Sequence, residues 1–125
     1  MSRARLLLVD DEPELVFTMA ERLELRGFEV DAVTSGEEAL KRIEEHDYHV
    51  AVVDVKMPGL DGHQVLEQIK ARFPDISVIL LTGHGGDEEG EVGMRLGACA
   101  YLFKPVNIAD LIETMRECAG GFSDE

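Results

Sequence analysis

Short apolar segments alternate five times with segments of helical periodicity along the chain. The apolar segments are residues 6–9, 28–33, 50–53, 78–81 and 101–103. Four of them are continuously apolar, which is typical of parallel strands covered on both faces. Residues 28–33 mostly alternate apolar and polar side chains, and this pattern predicts a strand at the edge of the sheet.

Residues that favour helix starts precede four of the five helical segments. They are Pro13, Ser35 in a capping-box pattern with Glu38, Asp61, and Asn107. Gly27 is expected to end the first helix. The fourth helix, at about residues 87–96, contains Gly90 and Gly93. Each glycine costs a helix about 1 kcal/mol relative to Ala, so this helix is expected to be the most labile element.

Five strand–helix units with short connections predict an α/β fold, in which helices cover both faces of a doubly wound, five-stranded parallel sheet. Right-handed crossovers restrict the possible topologies. With the alternating second strand at an edge, the flavodoxin-like strand order 2-1-3-4-5 fits best. We expect one domain over residues 1–119, followed by a flexible acidic tail over residues 120–125.

Composition and charge narrow the class of protein. The chain has 125 residues, of which 45% are hydrophobic, as in a globular domain. Its net charge of −14 predicts repulsion from nucleic acid and from anionic membranes. The apolar run near the N-terminus is too short for a signal peptide, so a cytoplasmic protein is expected. Cys99 and Cys118 fall on different predicted elements and are expected to be reduced, buried thiols.

Polar side chains follow four of the predicted strands, at the point where each strand ends. They are Asp10, Asp11 and Glu12 after the first strand, Asp54 after the third, Thr82 after the fourth and Lys104 after the fifth. Because all carboxyl ends of parallel strands share one edge of the sheet, and ligands bind there, these residues are expected to converge.

Such a cluster is suited to phosphoryl chemistry. Asp10, Asp11 and Asp54 would repel one another and therefore need a cation, and their hard oxygen ligands suit Mg²⁺. A metal ion with Lys104 and the Thr82 hydroxyl could bind phosphoryl oxygens. Asp54 is then a candidate nucleophile that forms an aspartyl phosphate.

With these motifs the chain resembles, over about residues 4–118, the receiver domain of bacterial two-component response regulators, including the chemotaxis regulators. The family pattern is an acidic pair after the first strand, an Asp after the third, Thr or Ser after the fourth, and Lys-Pro after the fifth. The matching residues are Asp10, Asp11, Asp54, Thr82, Lys104 and Pro105, with Met57-Pro58 and Asp61-Gly62 in the loop after Asp54.

The resemblance implies a role for each residue at the strand ends. Asp54 would accept a phosphoryl group from a phosphohistidine. Asp10, Asp11, Asp54 and the backbone carbonyl of Lys56 would hold Mg²⁺ or Mn²⁺, with Asp10 acting mainly through water. Lys104 would pair with Asp54 and then with the phosphoryl group.

Further residues would shape the site and transmit its state. The resemblance implies that Thr82 moves to the phosphoryl group while Tyr101 turns inward, which would switch the face formed by helix 4, strand 5 and helix 5. Pro105, after an expected cis bond, and Gly83 would shape the site. Lys56 and His84 are candidates for tuning the phosphoryl lifetime, and solvated bystanders are an equally good interpretation of both.

The resemblance also implies the partners. They are a sensor histidine kinase or phosphotransfer protein, and a downstream protein or fused output domain, with a phosphorylation-linked homodimer as a further possibility. The domain would be no enzyme acting on other substrates, since it would catalyse only its own phosphorylation and autodephosphorylation.

Other classes of protein share parts of this pattern. A flavodoxin-like FMN binder has the same predicted architecture, but the acidic first loop would repel a phosphate. A phosphatase of the haloacid-dehalogenase type needs an Asp-x-Asp motif at its first strand. The segment Asp54-Val55-Lys56 lacks the second Asp of that motif. A protein-interaction domain with a decayed site is the third alternative, and the complete residue set argues against it. His63 is expected to be a surface residue of the third helix.

Overall fold

The computed structural model describes residues 4–83 and 86–119, in which strands and helices alternate strictly. The elements are β1 (Arg5–Val9), α1 (Pro13–Glu24), β2 (Glu29–Val33), α2 (Gly36–Glu45), β3 (Val50–Asp54), α3 (Gly62–Arg72), β4 (Ser77–Thr82), α4 (Asp87–Leu96), β5 (Ala100–Phe103) and α5 (Ile108–Cys118). They confirm the five predicted strand–helix units. His84 and the acidic segment 120–125 lie outside the described residues.

The five strands form one parallel sheet with the order β2-β1-β3-β4-β5. This is the predicted order, and β2 lies at an edge as its alternating sequence indicates. The order reverses direction at β1 and β3, so the carboxyl ends of these two neighbouring strands flank the position where ligands bind in such sheets. None of the described helices combines the length and apolar character needed to cross a membrane.

Two apolar layers cover the two faces of the sheet. Side chains alternate in direction along a strand, so Leu7 and Val9 of β1 pack into one layer while Leu6 and Leu8 pack into the other. Helices α2 and α3 cover the first layer, and α1 and α5 cover the second. The central strands are apolar without interruption because both of their faces are buried.

The predicted helix starts are confirmed, with one correction. The Ser35 hydroxyl accepts a hydrogen bond from the Glu38 backbone N–H (3.1 Å). The Glu38 carboxylate, however, accepts from the backbone N–H of Thr34 (3.3 Å), so the reciprocal bond of the predicted capping box is not formed. The remaining starts are Pro13 in the first turn of α1, Asp61 in a complete capping box with Gln64, and Asn107 bonded to the Asp110 N–H.

The prediction of two reduced, buried thiols is wrong. Cys99 and Cys118 form a disulfide, and Cys99 is exposed. The chain reverses direction between β5 and α5, so the end of α5 returns to the start of β5. The Cα atoms of Cys99 and Cys118 are 5.8 Å apart, within the range that a disulfide spans. Sequence spacing did not indicate this pair because the two residues meet only through the packing of α5 on the sheet.

Candidate functional site

Three polar side chains are buried among the described residues, namely Asp10, Asp54 and Thr82. All three lie at the carboxyl edge of the sheet and were predicted as site residues from the sequence. Their exposed fractions are 2%, 6% and 2%. Burying polar groups is costly, so a concentration of them at one edge indicates a site and not a structural core.

Backbone hydrogen bonds between neighbouring strand ends fix the positions of these residues. Val55, directly after Asp54, donates from its N–H to the carbonyl of Leu81 (2.9 Å), and the Lys104 N–H donates to the Thr82 carbonyl (2.8 Å). The last residues of β3, β4 and β5 are thereby held side by side, as the sheet order predicts.

The Lys104 ammonium lies among three carboxylates. Its Nζ is 2.7 Å from Oδ2 of Asp10, 3.4 Å from Oδ1 of Asp54 and 3.6 Å from Oε1 of Glu12. Glu12 was noted in the sequence as part of the acidic run but not predicted to contact Lys104. One ammonium cannot neutralise this many carboxylates, so the site keeps an excess of negative charge.

Burial and charge shift the protonation of the cluster. Burial first, and then repulsion by Asp10, raise the pKa of Asp54 to about 6, against the opposing attraction of Lys104. Burial alone would lower the pKa of Lys104, but the attraction of the Asp10 and Asp54 carboxylates outweighs burial and raises it. Lys104 therefore stays charged at neutral pH, and Asp54 is mostly ionised but held at an electrostatic cost.

The acidic cluster has the composition of a divalent-cation site. Carboxylate oxygens of Asp10, Asp11 and Asp54 all lie within 4.8 Å of one another. The buried Oδ2 of Asp10 makes no hydrogen bond of good geometry within the described part of the chain, although Lys104 is close. Hard oxygen donors and uncompensated negative charge fit Mg²⁺ or Mn²⁺.

The loop after Asp54 approaches the strand so closely that a side chain cannot be accommodated there. The Gly62 N–H donates to the Val55 carbonyl (2.8 Å). A Cβ added at Gly62 would lie 2.4 Å from the Asp54 carbonyl oxygen. The Asp61-Gly62 pair thus has two functions, since Asp61 caps α3 and Gly62 allows this contact.

On the other side of the site, the Lys104–Pro105 bond is cis, as expected.

The two predicted switch residues both contact α4 or the segment before it. The Thr82 hydroxyl donates to the Gly83 carbonyl (3.1 Å). The ring of Tyr101 is partly buried and packs edge-to-face with Phe103 at 5.7 Å between ring centres. Partial burial and the nearby Asp87 carboxylate raise the pKa of the Tyr101 hydroxyl.

A polar contact between α3 and α4 was missed by the sequence analysis. His63 was expected to be a surface residue, but its Nε2–H donates to the Glu89 carbonyl (2.8 Å). The Lys56 ammonium is exposed and lies 3.5 Å from the Glu89 carboxylate. No signal in the sequence pairs these residues, because they are brought together by the packing of α4 against α3 and the loop after β3.

The site is approached through a groove of about 500 Å³ between α1 and the segment after β5. Lys104 and Glu12 line this groove together with the apolar side chains of Leu15 and Met19 of α1. Leu15 and Phe17 on the same helix are exposed. The strand-end cluster is therefore open to a partner that approaches along α1.

Comparison with known proteins identifies the arrangement. The family model of the response regulator receiver domain matches residues 6–116. The response regulator protein FleR of Pseudomonas aeruginosa is 37% identical over 118 residues, 94% of this chain and 25% of FleR. The transcriptional regulatory protein CpxR homolog of Haemophilus influenzae is 38% identical over 113 residues, 90% of this chain and 49% of that protein. The chain thus spans a quarter to a half of the length of these relatives.

Solved structures agree with the sequence matches. A response regulator receiver domain protein from Clostridium thermocellum superposes with a TM-score of 0.87 at 36% identity, covering 91% of this chain and 92% of that one. A CheY-like receiver domain protein from Methanospirillum hungatei gives 0.87 at 34% identity, covering 93% of each. The chain therefore belongs to the family of response regulator receiver domains.

Proposed function

We propose that this receiver domain accepts a phosphoryl group on Asp54 from the phosphohistidine of a sensor kinase or phosphotransfer protein. The observation that carries the proposal is the Asp54 carboxylate, which is buried at a strand end 3.4 Å from Lys104 and clustered with Asp10 and Asp11. A carboxylate held at an electrostatic cost and beside a fixed cation is suited to act as a nucleophile.

The proposed step is a displacement at phosphorus. An oxygen of the ionised Asp54 carboxylate attacks the phosphorus atom, a P–O bond forms, and the P–N bond to the donor imidazole breaks. The leaving imidazole takes up a proton. The Lys104 ammonium is positioned to stabilise the developing charge on the phosphoryl oxygens, and the Thr82 hydroxyl would donate to one of them after turning away from Gly83.

A divalent cation fits the acidic cluster beside the phosphoryl acceptor. Asp10, Asp11 and Asp54 would hold Mg²⁺ or Mn²⁺, with the Lys56 carbonyl as a further ligand. When bound, the ion supplies charge neutralisation for the transferred group. In its absence Asp54 competes with Asp10 for the single Lys104 ammonium.

Intact mass spectrometry tests the proposal directly. The protein incubated with Mg²⁺ and acetyl phosphate is expected to gain the mass of one phosphoryl group. Asp54→Asn should gain none, and chelation of the metal should abolish the gain in the wild type. An equal gain in Asp54→Asn would assign the modification to another residue and overturn the proposal.

The proposed output is a change in the face formed by α4, β5 and α5. Phosphorylation adds about −1.5 to −2 charges at the end of the sheet where Thr82 leads into α4. A labile helix beside this change in charge is suited to a population shift. Amide hydrogen exchange in α4 and β5 is expected to change on phosphorylation, and an unchanged pattern across this face would contradict the assignment.

We also propose the partners, which membership of the receiver family supports. Upstream is a sensor histidine kinase or phosphotransfer protein, and downstream is a separate protein or a fused output domain. The relatives are named regulators and are longer than this chain, which favours a fused output domain. A homodimer linked to phosphorylation is the other candidate output.

We propose a cytoplasmic signalling domain that catalyses its own phosphorylation and dephosphorylation. Lys56 and His84 are the candidates for tuning the lifetime of the phosphoryl group.

A further inference from the structure

One face of α4 and of the residue before it lacks β-carbons where it packs on the sheet. Gly86, Gly90 and Gly93 are spaced four and three residues apart, which places them on the same side of the helix. We call these three residues the glycine face. Two of them were expected from the sequence only to weaken the helix, but the structure shows that each is in close contact with a side chain.

A β-carbon at any position of the glycine face would require a neighbouring side chain to move. A Cβ added at Gly86 would lie 1.7 Å from Oγ1 of Thr82, and one at Gly90 would lie 2.3 Å from Cδ2 of Tyr101. At Gly93 the corresponding atom would lie 2.1 Å from Cδ1 of Leu80. Gly86 and Gly90 therefore contact the two switch residues that the family resemblance predicts, Thr82 and Tyr101, and Gly93 contacts Leu80 of the apolar core.

These contacts restrict how Thr82 and Tyr101 can move relative to α4. Backbone atoms lie against both side chains, so no intervening flexible side chain can absorb a displacement. The Gly86 N–H also donates to the Gly83 carbonyl (3.1 Å), the same oxygen that accepts from the Thr82 hydroxyl. The start of α4 and the Thr82 hydroxyl thus share one acceptor.

We propose that Gly86 and Gly90 are positioning residues that hold Thr82 and Tyr101 in the unphosphorylated arrangement and couple both of them to α4. This inference rests on the proposed function of Asp54. An alanine at either position cannot coexist with the side-chain position observed. It would therefore raise the free energy of the unphosphorylated arrangement relative to one in which Thr82 has turned to the phosphoryl group.

The expected consequence is faster phosphorylation. Gly86→Ala and Gly90→Ala should each raise the initial rate with acetyl phosphate and Mg²⁺ by about fivefold or more, the lower end of typical coupling between two sites. Gly93→Ala is the matched control, because it makes the same change in the same helix but contacts Leu80. The initial phosphorylation rate of Gly93→Ala should stay within about twofold of the wild-type rate. Equal rates for Gly90→Ala and Gly93→Ala would overturn the proposal.

A second substitution separates the contact from a general effect on the helix. The Tyr101→Ala variant lacks the ring with which a β-carbon at position 90 would clash. Adding Gly90→Ala to this variant should therefore not change the phosphorylation rate further. Contacting residues are expected to be non-additive in this way. If Gly90→Ala has the same effect with and without Tyr101, it does not act through the ring, and the proposal is wrong.

The inference can fail independently of the proposed function. If the wild type gains no phosphoryl group, the assignment of Asp54 fails, and NMR of the unmodified variants decides the packing. The Thr82 methyl resonance should shift in Gly86→Ala, and the Tyr101 ring resonances should shift in Gly90→Ala. Both should stay close to wild type in Gly93→Ala. Unshifted resonances in folded Gly86→Ala and Gly90→Ala would overturn the inference.

Discussion

Replacing Asp54 with Asn is expected to raise the free energy of unfolding by about 3 kcal/mol at pH 7 in metal-free buffer. The pKa of Asp54 rises from its ordinary value of 3.8 to about 6 in the folded protein. The folded state therefore binds the proton more tightly than the unfolded chain does. At pH 7, where both states have lost that proton, the ionised carboxylate destabilises the fold, and a neutral amide of similar shape removes this cost.

The pH dependence gives the sign of the effect. Stability contributed by protonated Asp54 is fully present below pH 3.8 and is lost as the pH rises through about 6. Urea denaturation of wild type and Asp54→Asn should therefore give similar stabilities near pH 3.8 and diverge by pH 7. Asp75→Asn, the same change at an exposed position, is the matched control for the substitution itself. A variant less stable than wild type at pH 7 would mean that attraction to Lys104 outweighs burial.

Magnesium should reduce the difference in stability between Asp54→Asn and wild type. Because an ion that binds the folded state stabilises it by mass action, Mg²⁺ should raise the Tm of wild type more than that of Asp54→Asn. A carboxylate that weakens the unliganded fold is typical of a functional site.

Removing the disulfide is expected to have the other large effect on stability. The bond joins residues that are 19 apart in sequence. In the chain-entropy model, a disulfide that closes a loop of this length stabilises the folded state by about 3 kcal/mol. The double substitution Cys99→Ala with Cys118→Ala should lower the Tm by about 10 °C in thermal unfolding followed by circular dichroism. The loss arises mainly in the unfolded chain, which becomes free to expand.

A reductant provides the control for the disulfide. Dithiothreitol should lower the Tm of wild type to that of the double variant and leave the variant unchanged. Two free thiols in the untreated wild type, counted by alkylation and mass, would contradict the structure and restore the sequence-based prediction. Because the cytosol keeps most thiols reduced, the same count on protein from cells would show which form is present there.

The sequence by itself determined the five strand–helix units, the sheet order and the strand-end residues. These follow from local physics, since uninterrupted apolar runs predict buried parallel strands, and the alternating second run predicts an edge. Convergence of Asp10, Asp54, Thr82 and Lys104 followed from the rule that all parallel strands present their carboxyl ends at one edge. No distance was needed for that prediction.

Tertiary structure decided what depends on the packing of one element against another. The ion pair of Lys104 with Glu12, the contacts of Glu89 with His63 and Lys56, and the disulfide all join residues whose sequence separation carries no signal. The glycine face is the clearest case. Intrinsic propensity marks Gly90 and Gly93 as unfavourable in a helix. Only the distance between backbone and side chain shows that a β-carbon there would require Tyr101 or Leu80 to move.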